Sequence, residues 1–152
     1  MSDLSVTEIK KEITDFDVAL KNDGKLVFSP HGTSMLPMIK GGIDIVVIFP
    51  VTDVYALNKY DVVFYKRENG AFILHRIVDK KEDHYLCCGD NQVWLEKVEP
   101  ERIFGILVGY YKDGQYIDVK TDKRYIKYAK NRVASRFPRR VIGKIRRTLK
   151  LG

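Results

Sequence analysis

Residues 61–78 read DVVFYKRENGAFILHRIV, two runs rich in β-branched and aromatic residues on either side of an Asn69-Gly70 step. Runs of this composition favour β-strands. Asn-Gly between two such runs is typical of a hairpin turn. The stretch therefore predicts two adjacent antiparallel strands, and it sets the fold class expected for the chain around it.

Similar short β-rich runs, separated by turn residues, extend on both sides of this hairpin. Asp113-Gly114 marks a second hairpin turn by the same criterion. Seven strands are predicted, at residues 25–29, 43–49, 61–66, 71–78, 85–88, 102–111 and 115–120. Strands at this spacing indicate a mainly β domain, built as a curled antiparallel sheet or a small, partly open barrel.

Helical periodicity replaces the β pattern at both ends of the chain. Residues 1–24 contain a capping-box sequence, Ser5-Val6-Thr7-Glu8, followed by apolar residues at steps of three or four, which predicts an N-terminal amphipathic helix. Residues 121–152 form a basic tail with the same spacing, in which Pro138 predicts two short helices. The β domain between them covers residues 25–120.

The positive charge of the chain is concentrated in the tail. Residues 120–152 contain 13 Lys or Arg and one acid, Asp122, for a charge of +12, whereas the remainder carries −5. This distribution argues against a generally basic nucleic-acid-binding domain, and nucleic acid is not an expected partner. A basic amphipathic tail fits an anionic membrane surface. The alternative is that the apolar side of the tail packs on the β domain.

Composition and cysteine content restrict the class of protein further. With 152 residues, 45% hydrophobic and 31% charged, the sequence fits one soluble globular domain. Cys87 and Cys88 are adjacent and poorly placed to bridge each other, which excludes a disulfide-framed scaffold and favours a cytoplasmic location. The most apolar stretch, residues 43–54, is too short and too interrupted to span a bilayer, so no transmembrane helix is expected.

Three segments carry residues suited to nucleophilic catalysis: His31-Gly32-Thr33-Ser34-Met35-Leu36-Pro37, Leu74-His75-Arg76-Ile77-Val78 and Gly89-Asp90-Asn91-Gln92. A serine hydroxyl becomes a nucleophile when a base accepts its proton, and a neutral imidazole does this well. Ser34 follows a predicted strand in a Gly- and Pro-bounded turn. Strand alternation places His75 on the same face as Ile73 and Ile77, with Arg76 on the other.

Together these segments resemble the signal peptidase I clan of serine proteases, which also contains the self-cleaving SOS repressors. The clan's nucleophile motif, a small residue and then Ser-Met-x-Pro, is present as Thr33-Ser34-Met35-Leu36-Pro37. Gly42-Ile43-Asp44-Ile45-Val46 and Tyr60-Asp61-Val62-Val63-Phe64-Tyr65 are similar to the clan's next two segments, and Gly89-Asp90-Asn91-Gln92 is similar to its GDNN box. The resemblance covers residues 25–109, in order.

The residue before the arginine separates the branches of this clan. Bacterial signal peptidases and SOS repressors have lysine there, whereas the endoplasmic-reticulum and archaeal types have histidine, as His75 is here. The resemblance implies an endopeptidase that uses Ser34 as nucleophile and His75 as base, through an acyl-enzyme. An acid would orient the imidazole. The family has one acid in the GDNN box, which is Asp90 here, and a second one shortly after it, which is Glu96 here. Asp90 is favoured because the family usually has aspartate at the second site, and Glu96 departs from this. Gly32 replaces a hydroxyl residue, so backbone N–H groups, including that of Ser34, would form the oxyanion hole.

The resemblance also implies where a substrate binds. In the family a peptide lies as an extended strand beside the catalytic strands, which corresponds here to a cleft lined by Leu26, Phe28, Pro30, Phe72 and Leu74. The expected substrate is a peptide or precursor protein. No cofactor is expected, and no metal, because Cys87-Cys88 lacks the paired spacing of a zinc site.

Three other functions fit parts of the pattern. The first is a catalytically silent peptide-binding module of the same fold. The second is a self-cleaving regulator, although residues 1–24 are too few for a helix-turn-helix domain. The third is a phosphate-binding adaptor that acts through the tail. The sequence leaves the oligomeric state open.

Overall fold

The computed structural model of the chain describes residues 16–150. Eight strands form one antiparallel sheet in the order β1-β2-β7-β3-β4-β5-β6, with β8 paired to β7 beside this path. The elements are α1 (Phe16–Asp23), β1 (Leu26–Phe28), β2 (Ile45–Pro50), β3 (Val62–Lys66), β4 (Phe72–Lys80), β5 (Tyr85–Cys88), β6 (Glu96–Val98), β7 (Ile103–Lys112), β8 (Gln115–Asp118) and α2 (Lys123–Lys150), with a 3₁₀ turn at Pro100–Arg102. The sheet does not close into a barrel. The predicted mainly β class is confirmed.

All seven predicted strands are present, and both predicted hairpin turns connect neighbouring strands. Asp113 and Gly114 join β7 to β8 with φ of 51° and 76°. Two successive residues with positive φ are the conformation that a two-residue hairpin turn of the right twist requires. Gly70 has a φ of 86° in the connection from β3 to β4.

The strand β6 was not predicted. It has only three residues, Glu96–Val98, and pairs with β5 alone as an edge strand. Glu and Lys have low intrinsic preference for strands, so the local sequence gives no β signal. Pairing with β5 forms the strand, and it brings Glu96 back to the sheet.

The two faces of the sheet carry separate apolar clusters. Along β3, Val62 and Phe64 belong to the first cluster, and Val63 and Tyr65 belong to the second. This alternation buries four consecutive side chains of β3. Both helices pack on the first face, α1 through Leu20 and α2 through Tyr125 and Ala129, so that the second face is left to strands and loops.

A cluster of aromatic rings connects α1 to four strands. Phe64 of β3 contacts the rings of Phe16, Phe28 and Phe72 with centroid distances of 5.5–5.7 Å, and Phe104 at 4.9 Å. Ring pairs at such distances add to the stabilisation from burial alone. The cluster holds β1 close to the start of β4, although the two strands are not paired.

The predicted N-terminal helix is seen from Phe16 to Asp23, whereas Ser5-Val6-Thr7-Glu8 lies outside the described residues. The helix ends at Gly24, which has a φ of 70° and donates its N–H to Leu20 O at 3.1 Å. A glycine in this conformation is a common helix terminator.

The prediction of two short helices in the tail was wrong: α2 is one helix that contains Pro138. Side chains on both sides of the proline bind the same loop. Arg132 donates to Asp90 O at 2.6 Å, Arg136 to Val93 O at 2.9 Å, and Arg139 to Asp90 O at 3.0 Å. These contacts outweigh the local penalty of a proline that lacks an N–H group.

The second half of α2 does not cover the sheet. Phe137, Val141, Ile142, Ile145 and Leu149 are all 40% exposed or more. The alternative in which the apolar side of the tail packs on the β domain is therefore wrong for this part of the helix. Within residues 16–150 no helix is both long enough and apolar enough to cross a membrane.

Gly105→Ala is expected to lower the free energy of unfolding by about 1–3 kcal/mol, because added core atoms force neighbours to move. A methyl group at this position would lie 2.5 Å from Ile48 Cγ2 and 3.3 Å from Phe64 Cβ. Gly143→Ala is the control, since a methyl there meets nothing within 4 Å. It should leave the stability unchanged or raise it by up to about 1 kcal/mol. Urea denaturation measures both, and equal effects would contradict the packing of Gly105.

Candidate active site

Ser34 lies in the turn that leads from β1 to β2. The turn is closed by hydrogen bonds from the Leu36 N–H to Thr33 O, at 3.2 Å, and from the Ile39 N–H to Met35 O, at 3.0 Å. The side chains of Met35 and Ile39 are buried and fix the turn to the core, whereas Ser34 is partly exposed. The serine is thus held on an anchored backbone and stays accessible to a substrate.

His75 lies on β4 and is 4% exposed. Among residues 16–150, no strand pairs with its outer edge at this point, because the pairing of β5 with β4 begins only at Arg76, opposite Cys88. A cleft of about 550 Å³ opens beside the imidazole. The cleft is lined by Arg67, His75, Asn91, Gln92, Val93, Trp94, Leu95 and Glu96.

The connection from β5 to β6 brings the Ser34 turn and His75 together. A methyl group on Gly89 would lie 2.6 Å from Ser34 O and 3.1 Å from His75 Nε2. The Ser34 carbonyl oxygen and the imidazole nitrogen therefore both lie next to Gly89. Asn91 fixes the connection to the turn, with its N–H donating to Ser34 O at 2.8 Å and its amide to Thr33 O at 3.1 Å. Glycine is required here because a side chain would separate the segments. Within residues 16–150, no hydrogen bond joins the Ser34 hydroxyl to the imidazole.

The environment of His75 keeps its imidazole neutral. The pKa of His75 is lowered to about 4, chiefly by burial and to a smaller extent by the nearby Arg67, against the opposing effect of the Glu96 and Asp90 carboxylates. Tyr65 lies on the far side of the ring, with its hydroxyl 3.4 Å from His75 Nδ1. The Nε2 atom is therefore the one that faces the Ser34 turn.

Asp90 binds on the opposite face of the sheet from His75. Its carboxylate accepts two hydrogen bonds from the Arg76 guanidinium, at 2.8 Å each, and one from the Tyr128 hydroxyl at 2.8 Å. Both Arg76 and Asp90 are buried. Because His75 and Arg76 are consecutive on β4, they point to opposite faces, and the acid that pairs with Arg76 makes no hydrogen bond to His75 in the described chain.

Glu96, the second predicted acid, lies on the His75 side. Its carboxylate accepts hydrogen bonds from Arg67 at 2.7 and 2.8 Å, and this pairing lowers the pKa of Glu96. It also approaches the Tyr65 hydroxyl, whose pKa is raised by burial and by this carboxylate. The Tyr65 hydroxyl thus lies between His75 Nδ1 and the Glu96 carboxylate.

The predicted substrate residues lie in three different environments. Leu26 and Leu74 are buried, at 8% and 7% exposed, and belong to the core. Phe28 and Phe72 are half-buried in the aromatic cluster. Pro30 is partly exposed, and its carbonyl accepts a hydrogen bond from the Gly42 N–H at 2.9 Å, which closes the loop around Ser34.

The cysteine thiols are not competing nucleophiles. Burial raises the pKa of Cys87 to about 12 and also raises that of Cys88, so both stay protonated near neutral pH. Among the side chains of the described chain, no group of three or more His, Cys, Asp or Glu is placed to hold a metal ion.

The sequence analysis missed Tyr65, Arg67 and the arginines of α2. Tyr65 could have been found, because the predicted hairpin places it two residues from the partner of His75 on β3 and on the same face. Arg67 follows in the same hairpin. The contacts of Arg132 and Arg139 with Asp90 O had no sequence signal, because they depend on how α2 packs against the connection.

Comparison of the chain with models of protein families, with curated proteins and with solved structures gave no match in any of the three.

Asp90→Asn is expected to lower the free energy of unfolding by about 3 kcal/mol or more, because it leaves a buried guanidinium without its counter-charge. Glu96→Gln is the matched control: the side chains of Arg67 and Glu96 are 40% and 27% exposed, and such a pair contributes no more than about 1 kcal/mol. Urea denaturation at pH 7 compares the two variants. Equal losses of stability would mean that Asp90 does not hold the structure around Arg76.

Proposed function

We propose that this protein is a serine endopeptidase resembling signal peptidase I, which cleaves a peptide or precursor protein through an acyl-enzyme. The observation that carries the proposal is that the main chain of Ser34 and the Nε2 atom of His75 both lie against Gly89, with burial keeping the imidazole neutral. The residues of the resemblance lie in three separate segments, and the Ser34 turn, His75 and Gly89 come from one segment each. An unrelated turn serine and strand histidine have no reason to converge in this way.

The catalytic cycle requires only side chains of this chain and water. The Ser34 hydroxyl attacks the scissile carbonyl carbon while His75 Nε2 accepts its proton. The tetrahedral intermediate collapses, the C–N bond breaks, and the imidazolium gives that proton to the leaving amine. Water then attacks the acyl-enzyme with His75 again as base, and the proton returns to Ser34 as the carboxylic product leaves.

Tyr65 and Glu96 are proposed to orient the imidazole, in place of the expected Asp90. With Nε2 as the accepting atom, the proton of the neutral ring resides on Nδ1, which faces the Tyr65 hydroxyl. Glu96 lies behind that hydroxyl and is itself fixed by Arg67. Tyr65 and Glu96 are therefore positioning residues, and Asp90 supports the connection through Arg76.

Backbone donors are proposed to stabilise the oxyanion. The Ser34 N–H has no acceptor among residues 16–150 and lies in the anchored turn beside the nucleophile. A fixed N–H group at the site of developing negative charge is the usual form of an oxyanion hole.

The free edge of β4 is the proposed substrate site. The strand is uncovered before Arg76 on the side of β5, and main-chain groups there can pair with an extended peptide. The substrate would lie across the gap between this edge and β1, with Phe28 and Phe72 at its floor. The proposed place of action is the cytoplasm, at a membrane surface, which the free thiols of Cys87 and Cys88 suit.

One observation favours a second candidate, a catalytically silent peptide-binding module of the same fold. In the described chain the Ser34 hydroxyl makes no hydrogen bond to His75. Catalytic hydrogen bonds are often long in the absence of substrate, so the enzyme is the first choice. The labelling experiment below separates the two.

Ser34→Ala is expected to abolish covalent labelling by a fluorophosphonate probe and all cleavage of a synthetic peptide library. Labelling should be lost because Ser34 Oγ forms the covalent bond with the probe. The variant should still fold, because the Ser34 side chain is only partly buried. Intact-mass spectrometry measures labelling, and peptide mapping assigns it to a residue.

Ser135→Ala is the matched control, because this hydroxyl lies on α2 and donates to Arg132 O at 3.1 Å, away from the cleft. It should be labelled like the unmodified chain. Peptide binding without any label on Ser34 would identify the silent module, and label on another serine would contradict the catalytic assignment.

The rate of Ser34 labelling is expected to be constant from pH 7 to about 5 and to fall to half near pH 4. The base must be neutral, its neutral fraction decreases as pH falls through the pKa, and burial lowers the pKa of His75 to about 4. A midpoint near 6.5, the ordinary value for histidine, would contradict the buried environment.

Two controls accompany the pH profile. The unfolded chain binds a proton on His75 near pH 6.5 and the folded chain near pH 4, so stability falls as pH decreases across this range. Circular dichroism at each pH confirms that the chain stays folded. His75→Asn should remove labelling, whereas His84→Asn, on the partly buried histidine bonded to Asp83, should not.

A further inference from the structure

One face of α2 is turned toward the sheet. Its residues recur at steps of three or four: Tyr125, Ala129, Arg132, Arg136 and Arg139. The first two are buried, and the three arginines donate to main-chain carbonyls of residues 90–93. We call this row the inner face of the helix.

The opposite side of α2 changes character along its length. At about 100° per residue, Lys123, Lys127 and Lys130 lie opposite the inner face, as expected for a helix whose outer side meets water. From residue 137 onward, the same side is mainly apolar. This outer apolar face consists of Phe137, Val141, Ile142, Ile145 and Leu149.

The outer apolar face contributes little to the core. Phe137 is 63% exposed, Ile145 53% and Leu149 74%. Its centre lies about 160° around the helix axis from the inner face, so packing of α2 on the sheet cannot bury it. A contiguous apolar face left outside by the fold indicates a surface that binds a partner.

Charge restricts what the partner is. Residues 123–150 contain twelve Lys or Arg and no Asp or Glu. Arg140 and Lys144 flank the outer apolar face on one side, and Arg146 flanks it on the other. The combination of an apolar face with cationic flanks matches the boundary between the headgroups and acyl chains of an anionic bilayer.

Other occupants fit less well. A nucleic acid would pair with the cations but would leave the apolar side chains in water. A second copy of this chain would bring two helices without acidic residues into contact, and like charges repel. A bilayer accommodates both properties at once.

The surface adjoins the candidate cleft. Arg140 lies over the ring of Trp94, 4.5 Å from its centroid, and Arg136 donates to Val93 O at 2.9 Å. Trp94 and Leu95, which line the cleft beside His75, are themselves 58% and 39% exposed. Tryptophan is favoured at membrane interfaces. A bilayer that binds the helix thus meets the rim of the cleft as well.

We propose that the outer apolar face of α2 binds anionic membrane surfaces and, with Trp94, places the cleft opening at the bilayer. The binding stands independently of catalysis. Its consequence for the substrate rests on the proposed function: the peptides cleaved would be segments that emerge from, or lie on, the membrane surface.

Flotation of the full chain with vesicles tests the binding, using phosphatidylglycerol mixed with phosphatidylcholine against phosphatidylcholine alone. The chain should bind the anionic vesicles more tightly by at least about tenfold at low salt, with the difference reduced at high salt. The double variant Ile145→Ser/Leu149→Ser should lose at least about tenfold in affinity, because it removes two side chains that enter the bilayer.

Two matched controls distinguish the outer apolar face of α2 from exposed apolar residues and positive charge elsewhere in the chain. Ile43→Ser removes a side chain that is 64% exposed but lies far along the chain in a loop, and it should change the affinity less than about twofold. Arg140→Gln/Lys144→Gln should weaken anionic binding more than Lys123→Gln/Lys127→Gln, which removes equal charge from the first half of the helix. Circular dichroism verifies the fold of each variant.

Several outcomes would overturn the proposal. These are equal binding to neutral and anionic vesicles, tighter binding to a single-stranded RNA that Ile145→Ser/Leu149→Ser leaves unchanged, or a dimer in sedimentation equilibrium that the same variant dissociates. Ser34→Ala should bind vesicles like the unmodified chain. Vesicle binding without any label on Ser34 would leave the membrane surface standing and remove only the peptidase.

Discussion

The buried ion pair between Arg76 and Asp90 joins several chain segments next to the candidate site. Besides Asp90, the guanidinium donates to Tyr60 O at 2.9 Å, to the Tyr125 hydroxyl at 3.0 Å and to Met38 Sδ at 3.2 Å. These partners lie before β3, on α2 and in the loop after Ser34. A fully buried guanidinium must satisfy its donors inside the protein, so its partners fix the relative positions of four chain segments. The segments before and after the Ser34–His75 approach are thus fixed to one charged group.

The alternation of β4 gives consecutive residues opposite electrostatic roles. Arg76 is charged and fully paired on the face that carries the helices. His75 faces the second cluster, where burial favours the neutral ring. Had the two residues shared a face, the guanidinium would have disfavoured an imidazolium at His75. The sheet therefore separates Arg76, which holds the neighbouring segments, from His75, the group proposed to move a proton. The Glu96 carboxylate lies on the side of His75, where it favours an imidazolium.

Much of the fold follows from local sequence, because strand composition and Gly-containing turns are local properties. The hairpins at Asn69-Gly70 and Asp113-Gly114 are of this kind. Features that depend on tertiary contacts were not predictable: β6 forms because β5 offers a partner, and α2 continues through Pro138 because its arginines bind residues 90–93. At the site, the sequence named Ser34, His75 and both acids. The sequence could not show that Asp90 and Glu96 lie on opposite sides of the sheet, because the irregular connection from β5 to β6 determines their positions.

The position of β7 has a consequence for folding. This strand pairs with β2 through Ile45↔Tyr111 and with β3 through Val63↔Ile106, whereas β3, β4, β5 and β6 pair with near neighbours in sequence. Contacts between distant residues require the closure of long loops and form slowly, so the β3–β6 meander should assemble before β2 joins β7. The Ser34 turn belongs to the late-joining part. During synthesis and folding, the Ser34 turn therefore reaches His75 only when the sheet is complete, and a partly folded chain lacks the assembled candidate site.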